Sequence, residues 1–380
     1  MTTRRTRSVL LQLLVLAVFA AVVAAGVLNA AHNLERQGIA SGFGFFGSTA
    51  GFDIIQHLIP YSETSTYGRA FAVALINTLL VSALGVVLAT FLGFGLGVAR
   101  LSHNWLVSRL ALAYVEIVRN IPLLLQLFFW YFAVLRALPG PRESYSAFGK
   151  VFLNIRGLYV PAPLPGEGFG VVGGILVVGL VASVAAAVWS KRRQRDVGRY
   201  LPGGWIAIGV TLLLALMTYF ALGRPLAWET PELAGFNFRG GLVLIPELVA
   251  LLTALTIYTA AFIAEIVRAG ILAVGHGQWE AASSLGLSRA QTLRLVVIPQ
   301  ALRVIVPPLT SQFLNLTKNS SLAAAIAYPD LVLVFAGTVL MQTGQAVEVI
   351  ALTMGVFLLI SLTISAVMNL YNRRLTLVGR

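Results

Sequence analysis

Cysteine is missing altogether: none of the 380 residues can enter a disulfide or give a thiolate to a metal. Histidine is nearly as scarce. His32, His57, His103 and His276 are scattered, each without a second ligand at metal-binding spacing, and they read as loop residues. Charge is thin, at 11% of residues against about 25% in an ordinary soluble domain. No Walker A sequence (G-x-x-x-x-G-K-S/T) occurs, so the chain holds no ATP in a P-loop of its own. The serines have no suitably placed histidine and the carboxylates lie mostly in separate loops. No hydrolase or redox constellation emerges, and the chain reads as a non-enzyme without cofactor or metal.

What is abundant is apolar sequence, 58% of the chain. Runs long enough to cross a bilayer, about 20 residues each, lie near 9–30, 70–99, 110–135, 169–189, 203–222, 245–267, 302–326 and 347–370. The fold class expected is an all-α polytopic membrane protein of about eight transmembrane helices. The net charge of +13 follows this topology instead of marking a nucleic-acid site. With the N-terminus inside, seventeen of the 27 basic residues fall in cytoplasmic segments and eight outside, leaving Arg119 and Lys318 within the membrane. Both termini are then cytoplasmic. Trp130, Trp189, Trp205 and Trp228 fall at span edges, where amphipathic rings sit well. Val9–Leu28 exceeds the roughly 7–15 residues of a signal-peptide core, so the first span reads as a retained signal anchor.

Gly42-Phe43-Gly44-Phe45-Phe46-Gly47 satisfies G-x-G-x-x-G, but no strand precedes it and no helix with a distal acid follows, so a dinucleotide site is rejected. Its phenylalanines, with Phe52, Ile54, Ile55, Leu58 and Ile59, are expected on the outer membrane interface or under a docked partner. Charge within the membrane marks a second region, because an ionisable group there needs a cavity or a counter-ion. Glu116 and Arg119 stand three apart on one helical face, where they can pair. Asn120 and Gln126 add polar groups, and Pro122 frees a carbonyl in the preceding turn. Lys318, Asn319, Ser320 and Ser321 form a second cluster, after Pro307-Pro308 has disturbed the same helix. A carboxylate needs a cationic or N–H partner and an ammonium needs an acceptor, and these clusters supply both kinds of group. The alternative is a packing ion pair at Glu116–Arg119 and a Lys318 bonded to a partner's carbonyls. Gly93 and Gly97 form a G-x-x-x-G pair that lets helices pack closely.

The most distinctive segment is polar: Gln278-Trp279-Glu280-Ala281-Ala282-Ser283-Ser284-Leu285-Gly286, running on to Ile298-Pro299-Gln300. It reads as two short helices around a turn at Gly286, which tolerates positive φ. Pro299 marks a helix boundary or first turn. Ala281 and Ala282 let another surface approach closely. The spacing resembles the signature of the integral membrane subunits of binding-protein-dependent ABC importers: Glu-Ala-Ala, three residues, Gly, nine residues, Ile-x-Leu-Pro. Val296 and Ile298 replace the Ile and Leu.

Glu116-Ile117-Val118-Arg119-Asn120-Ile121-Pro122 with Gln126, Glu265-Ile266-Val267-Arg268 and Lys318-Asn319-Ser320-Ser321-Leu322 resemble the polar amino acid branch of these permeases. Ile39-Ala40-Ser41-Gly42-Phe43-Gly44-Phe45 and Ala50-Gly51-Phe52 are similar to the larger, Q-type subunit of general L-amino-acid uptake systems.

The resemblance implies a type I permease core and a bacterial inner-membrane location. It also implies a second, distinct permease subunit, two ATP-binding subunits carrying ATP and Mg, and a periplasmic amino-acid-binding protein. Gln278, Glu280, Ala281, Ala282, Gly286 and Pro299 would dock the ATPase. Glu280 would meet a basic residue there, and both alanines would pack in its surface groove. Glu116, Arg119, Asn120, Gln126, Lys318, Asn319 and Ser320 would line the substrate path.

The expected organisation is residues 1–68 (first helix and external loop), 69–136 (first part of the core), 137–243 (inserted external loops and helix pair) and 244–380 (second part of the core, with a coupling loop at 270–300). Spans 4 and 5 enter and leave as a pair, so their insertion preserves the orientation of the core. An ion-coupled secondary transporter is the competing reading. It needs no docking loop, and the Glu280–Pro299 motif argues against it.

Overall fold

The computed structural model describes residues 2–36, 41–197 and 202–376; Ile39 and Ala40, named above, and Arg199 and Arg380, counted among the cytoplasmic basic residues, lie outside the described residues. Helix dominates, because a backbone crossing lipid must satisfy its own hydrogen bonds. Helix α1 covers Thr2–Arg36, with an apolar stretch at Leu10–Gly26. Helix α2 (Tyr67–Ala99) starts where the Thr66 side chain accepts from the Arg69 amide. Helix α3 (Trp105–Asn120) is capped by Asn104, which accepts from the amides of Leu106 and Val107 at 3.0 and 3.3 Å.

The third span then departs from expectation. Pro122 holds Ile121 extended, at φ −99° and ψ 127°, so α3 cannot continue. The chain resumes as α4 (Leu123–Phe128) and the π-helical turns Phe129–Leu135, bent by 105° from α3. This span is broken.

After the excursion described below, α7 (Pro246–Leu272) leads into two short helices, α8 (His276–Ser284) and α9 (Arg289–Thr292). Helix α10 runs over Ile298–Asn319 straight through Pro307 and Pro308. The break in this span therefore falls later than the prolines suggest, at the 3-10 helix Ser320–Ile326 and the left-handed Ala327. A shorter apolar helix at Val332–Thr343, which the spacing analysis lacks, ends in α11 (Leu340–Thr343), and α12 (Ala346–Thr376) closes the chain. Among the described residues six helices are long and apolar enough to cross a membrane, or seven if α3 and α4 form one bent span.

The chain divides into two compact units, 1–134 with 247–380, and 135–246. In the first unit an inner core joins Ala89 of α2 to Ile263 and Val267 of α7 and to Ala301 and Ile305 of α10. Small residues make that contact possible. A Cβ on Gly93 would sit 2.6 Å from the Ile263 side chain, and one on Gly97 2.7 Å from Val267 and 2.8 Å from the Ala264 carbonyl oxygen. An outer core gathers Val73 and Ala74 of α2 with Leu331, Phe335 and Val339.

Segment 41–66 packs on this outer core, which corrects the expectation for its phenylalanines: Phe45, Phe46, Phe52 and Ile59 lie against it and Ile54 is buried within it. Only Phe43, Ile55 and Leu58 are exposed among them. The Gly42 amide donates to Glu348 Oε1 at 2.6 Å, and the Tyr67 hydroxyl to Gln342 at 2.9 Å. Burial, with Asp53 and Tyr67 nearby, pushes the Tyr61 hydroxyl up to about 12, so it remains a donor to the Phe52 carbonyl at neutral pH.

The second unit corrects the all-α expectation. Its helices α5 (Phe169–Val197) and α6 (Gly203–Ala221) form the expected pair, but the adjoining stretches fold into strands. β1 (Tyr145–Ala147), β2 (Val151–Asn154) and β3 (Gly157–Val160) run antiparallel, with Leu153 opposite Leu158. β4 (Ala162–Pro165) pairs with β5 (Leu226–Glu229), and β6 (Glu232–Ala234) with β7 (Asn237–Arg239). β8 (Leu242–Leu244) joins β3 with Val243 opposite Tyr159, giving the order β1-β2-β3-β8. The sheet's core is aromatic: Phe238 lies 4.5 Å from Phe152 and 5.0 Å from Tyr159, centroid to centroid.

Candidate functional site

The polar loop between α7 and α10 is built by two end signals. Helix α8 stops in a left-handed turn at Gly286, φ +73°. The Gly286 amide returns to the Ser283 carbonyl at 2.9 Å and the Leu287 amide to the Ala282 carbonyl at 3.1 Å. This pair of bonds is a Schellman cap, which ties off carbonyls a helix end leaves unpaired. Ser288 then opens α9 with a reciprocal capping box: its amide donates to Gln291 Oε1 at 2.9 Å, and its hydroxyl accepts from the Gln291 amide.

One face of α8 is rooted and the other is open. Ala282 is 2% exposed, and Trp279 packs on the inner core, sharing the lining of one groove with Val274 and Val297. Gln300 of α10 donates to Gln278 at 2.9 Å. On the open side stand Ala281, Leu285 and Glu280, whose side chain is 72% exposed and touches His276 Nδ1 at 3.1 Å. Pro299, in the first turn of α10, is exposed. The two alanines therefore face opposite ways, with Ala281 alone offered outward.

A groove of about 1120 Å³ lies between α8, α9 and the inner end of α2, lined by His103, His276, Trp279 and Arg289. There Arg289 meets His103 Nε2 at 2.8 Å. Beside it Glu265 of α7 bonds both Arg100, at the end of α2, and Arg268, the latter at 2.6 Å.

The intramembrane cluster at the α3–α4 break differs from its expected pairing. Among the described residues no ion pair joins Glu116 to Arg119. Arg119 turns instead to the Phe262 ring on α7, 5.1 Å from its centroid, a favourable stacking for a guanidinium. Glu116, Arg119 and Asn120 are exposed, and Asn120 donates to the Glu116 carbonyl at 2.7 Å. Gln126 is buried, and its amide donates to the carbonyls of Val118 and Ile121, both at 2.9 Å. Those are carbonyls the proline break leaves unpaired, so Gln126 holds the bend together.

At the far end of α10, Lys318 is exposed, Asn319 half-buried and Ser320 buried. Ser320 and Ser321 donate to the carbonyls of Thr317 and Lys318, each at 2.7 Å, easing the passage from α-helix to 3-10 helix. The structure thus leaves three charged side chains, Glu116, Arg119 and Lys318, projecting from apolar helices without a counter-ion in the described chain. Ionisable groups on membrane helices seldom face hydrocarbon. The Gln300–Gln278 bond, the Arg289–His103 contact and the Arg100–Glu265 pair had no signal in the sequence. Only the Ser288-x-x-Gln291 cap carried a readable signal. Among the described residues no group of three or more His, Cys, Asp or Glu stands together to hold a metal ion.

A family described as binding-protein-dependent transport system inner membrane component matches residues 85–377. The general L-amino acid transport system permease protein AapQ of Rhizobium johnstonii is 48% identical, covering 98% of this chain and 93% of that one. YhdX of Escherichia coli K12, provisionally named an amino-acid ABC transporter permease protein, is 58% identical over 96% of this chain and 94% of its own. The glutamate/glutamine/aspartate/asparagine transport system permease protein BztB of Rhodobacter capsulatus is 42% identical, covering 99% and 95%.

Proposed function

The chain belongs to the binding-protein-dependent transport system inner membrane components, and from that membership we propose how its two sites divide the work. It is a multi-pass inner-membrane permease subunit of an amino-acid ABC importer and is not itself the ATPase. ATP and Mg act on two partner ATP-binding subunits, a second and distinct permease completes the pore, and an external binding protein delivers the amino acid. Eight spans with both ends in the cytoplasm, α1 being the first and the bent α3–α4 segment the third, agree with the distribution of basic residues. Glu116, Arg119 and Lys318, with Asn120 and Asn319, line the path on the face toward the second permease, and Ser320, buried and bonded to the Thr317 carbonyl, supports it from behind. Gln126 shapes that path from behind.

The observation that carries this reading is the two-faced helix α8. Its rooted face reaches three core helices through Trp279, Ala282 and the Gln278–Gln300 bond. Its open face presents Glu280, Ala281 and Leu285. A helix built this way can receive a push from a closing ATPase and pass it to the pore. Gly286 sets its exit angle, and Pro299 lies inside a helix that runs on from α9 through the π-helical turns Leu293–Val297 into α10. An ion-coupled transporter has no use for such a lever.

Two substitutions test it. Gly286→Val forces a β-branched residue to φ +73°, a strongly disfavoured conformation. Glu280→Lys reverses the charge offered to the partner, and like-charge contacts at an interface cost several kcal/mol. Both sites lie outside the apolar spans, so the expected outcome is normal membrane insertion with a several-fold loss of co-purifying ATPase and of ATP-driven uptake in vesicles. Normal association and uptake in both variants would remove the coupling role of α8.

A further inference from the structure

The outer half of the first unit contains a knot of polar groups that the transport reading leaves unused. Gln56, on the external segment, donates its side-chain amide to the Tyr328 hydroxyl at 3.4 Å, and that hydroxyl donates to the Asn77 carbonyl at 3.4 Å. The Asn77 side chain donates to the carbonyls of Gln56 and Pro329, at 2.8 and 2.9 Å. Because both of those partners are acceptors, the amide orientation is fixed and Asn77 Oδ1 is an acceptor in its own right. The Asp330 amide donates to the Tyr328 carbonyl at 2.8 Å, and its Oδ1 accepts from the Leu333 amide at 2.8 Å. Asn77 and Asp330 are 0% and 1% exposed.

Three atoms of this knot have no donor: Gln56 Oε1, Asn77 Oδ1 and Asp330 Oδ2, all buried. Buried acceptors are almost always satisfied, and a lone buried carboxylate is among the costliest groups to leave uncompensated. Among the described residues no basic side chain pairs with Asp330. The backbone is also unwound here. Ala327 sits at φ +60°, and residues 328–330 are non-helical between the 3-10 helix and the π-helical turn. Unwound membrane helices with free oxygen ligands are where transport proteins hold small monovalent cations.

We propose that Asp330, Asn77 and Gln56 form a site for one small alkali cation, covered on the outside by segment 41–66. One carboxylate balances one positive charge, and the remaining ligands are neutral oxygens. The set offers no nitrogen or sulfur ligand for zinc or copper, and too few carboxylates for calcium. An ion there would tie Gln56, and so the external segment, to the break after α10.

The test is thermal unfolding of the full chain, purified in detergent with its accompanying subunits. Sodium chloride, potassium chloride and N-methylglucamine chloride are compared at equal ionic strength. A bound ion raises the midpoint with the logarithm of its concentration once that exceeds the dissociation constant, so sodium or potassium should raise Tm on the order of a few degrees. Asp330→Asn should abolish the response, and Gln56→Leu should shift it to higher ion concentration. Equal midpoints for the wild-type protein in all three salts would overturn the proposal, because Asp330 is then neutralised by a proton or the knot is filled by water. Stabilisation by an added amino acid but by neither alkali ion would also overturn it and assign the acceptors to an ammonium group. The wild-type response decides the matter even if Asp330→Asn does not assemble.

Discussion

Arg119 and Lys318 show how far a single residue can be read before its neighbours are known. Spacing along one helix placed Arg119 within reach of Glu116, and the guanidinium instead crosses to Phe262 on α7, 5.1 Å away. A pattern within one helix cannot see the next. Pro122 was legible as a helix stop, but the capping of its freed carbonyls by Gln126 was not, since that bond depends on the direction taken after the bend. What survives is the unusual presence of charge on apolar helices. Arg119→Met and Lys318→Met should each lower uptake about tenfold or more, the loss expected when one interaction worth about 1.4 kcal/mol disappears. The ATPase should still co-purify. Wild-type uptake in both variants would remove these residues from the path, and loss of assembly would make them packing residues.

Among the elements, the α8–α9 loop was the most legible because its end signals are local. A glycine at φ +73° can be read from neighbours in sequence, whereas Pro299 marks no boundary: helix runs from α9 through the π-helical turns Leu293–Val297 into α10. Which alanine faces inward could not be read there, because a nine-residue helix is oriented by what Trp279 finds to pack against. The contact between α2 and α7 lies between these cases: Gly93 and Gly97 announced a close approach without naming the partner. Gly97→Leu should separate the two helices and strain the Arg100–Glu265 contact one turn beyond. The expected loss is about 1–3 kcal/mol, as for overpacking elsewhere, seen as a lower Tm of the detergent-solubilised protein. Gly95→Leu, on the same helix with open space around it, should leave Tm unchanged.

For the whole molecule, hydropathy located the long helices because an apolar run of about 20 residues, enough to cross a bilayer, stands out in sequence. It missed the strands because they are only three or four residues long, too short for alternation to register. The paired insertion of α5 and α6 yields a topology that can be measured. Reporter fusions after Arg195 and Gly286 should register the cytoplasm, and fusions near Glu63 and Lys150 the outside. A cytoplasmic signal near Lys150 would overturn the span order. The division of the chain also has a consequence for its biosynthesis. The first unit is interrupted between residues 134 and 247, so α2 emerges from the ribosome long before α7. At about 5–20 residues per second, α7 follows the end of α4 by roughly 6–24 seconds. Throughout that interval the groove at Gly93 and Gly97 lies open in the bilayer. The nascent chain must hold its first half in place, against lipid or an insertion chaperone, until the second half arrives to fill it.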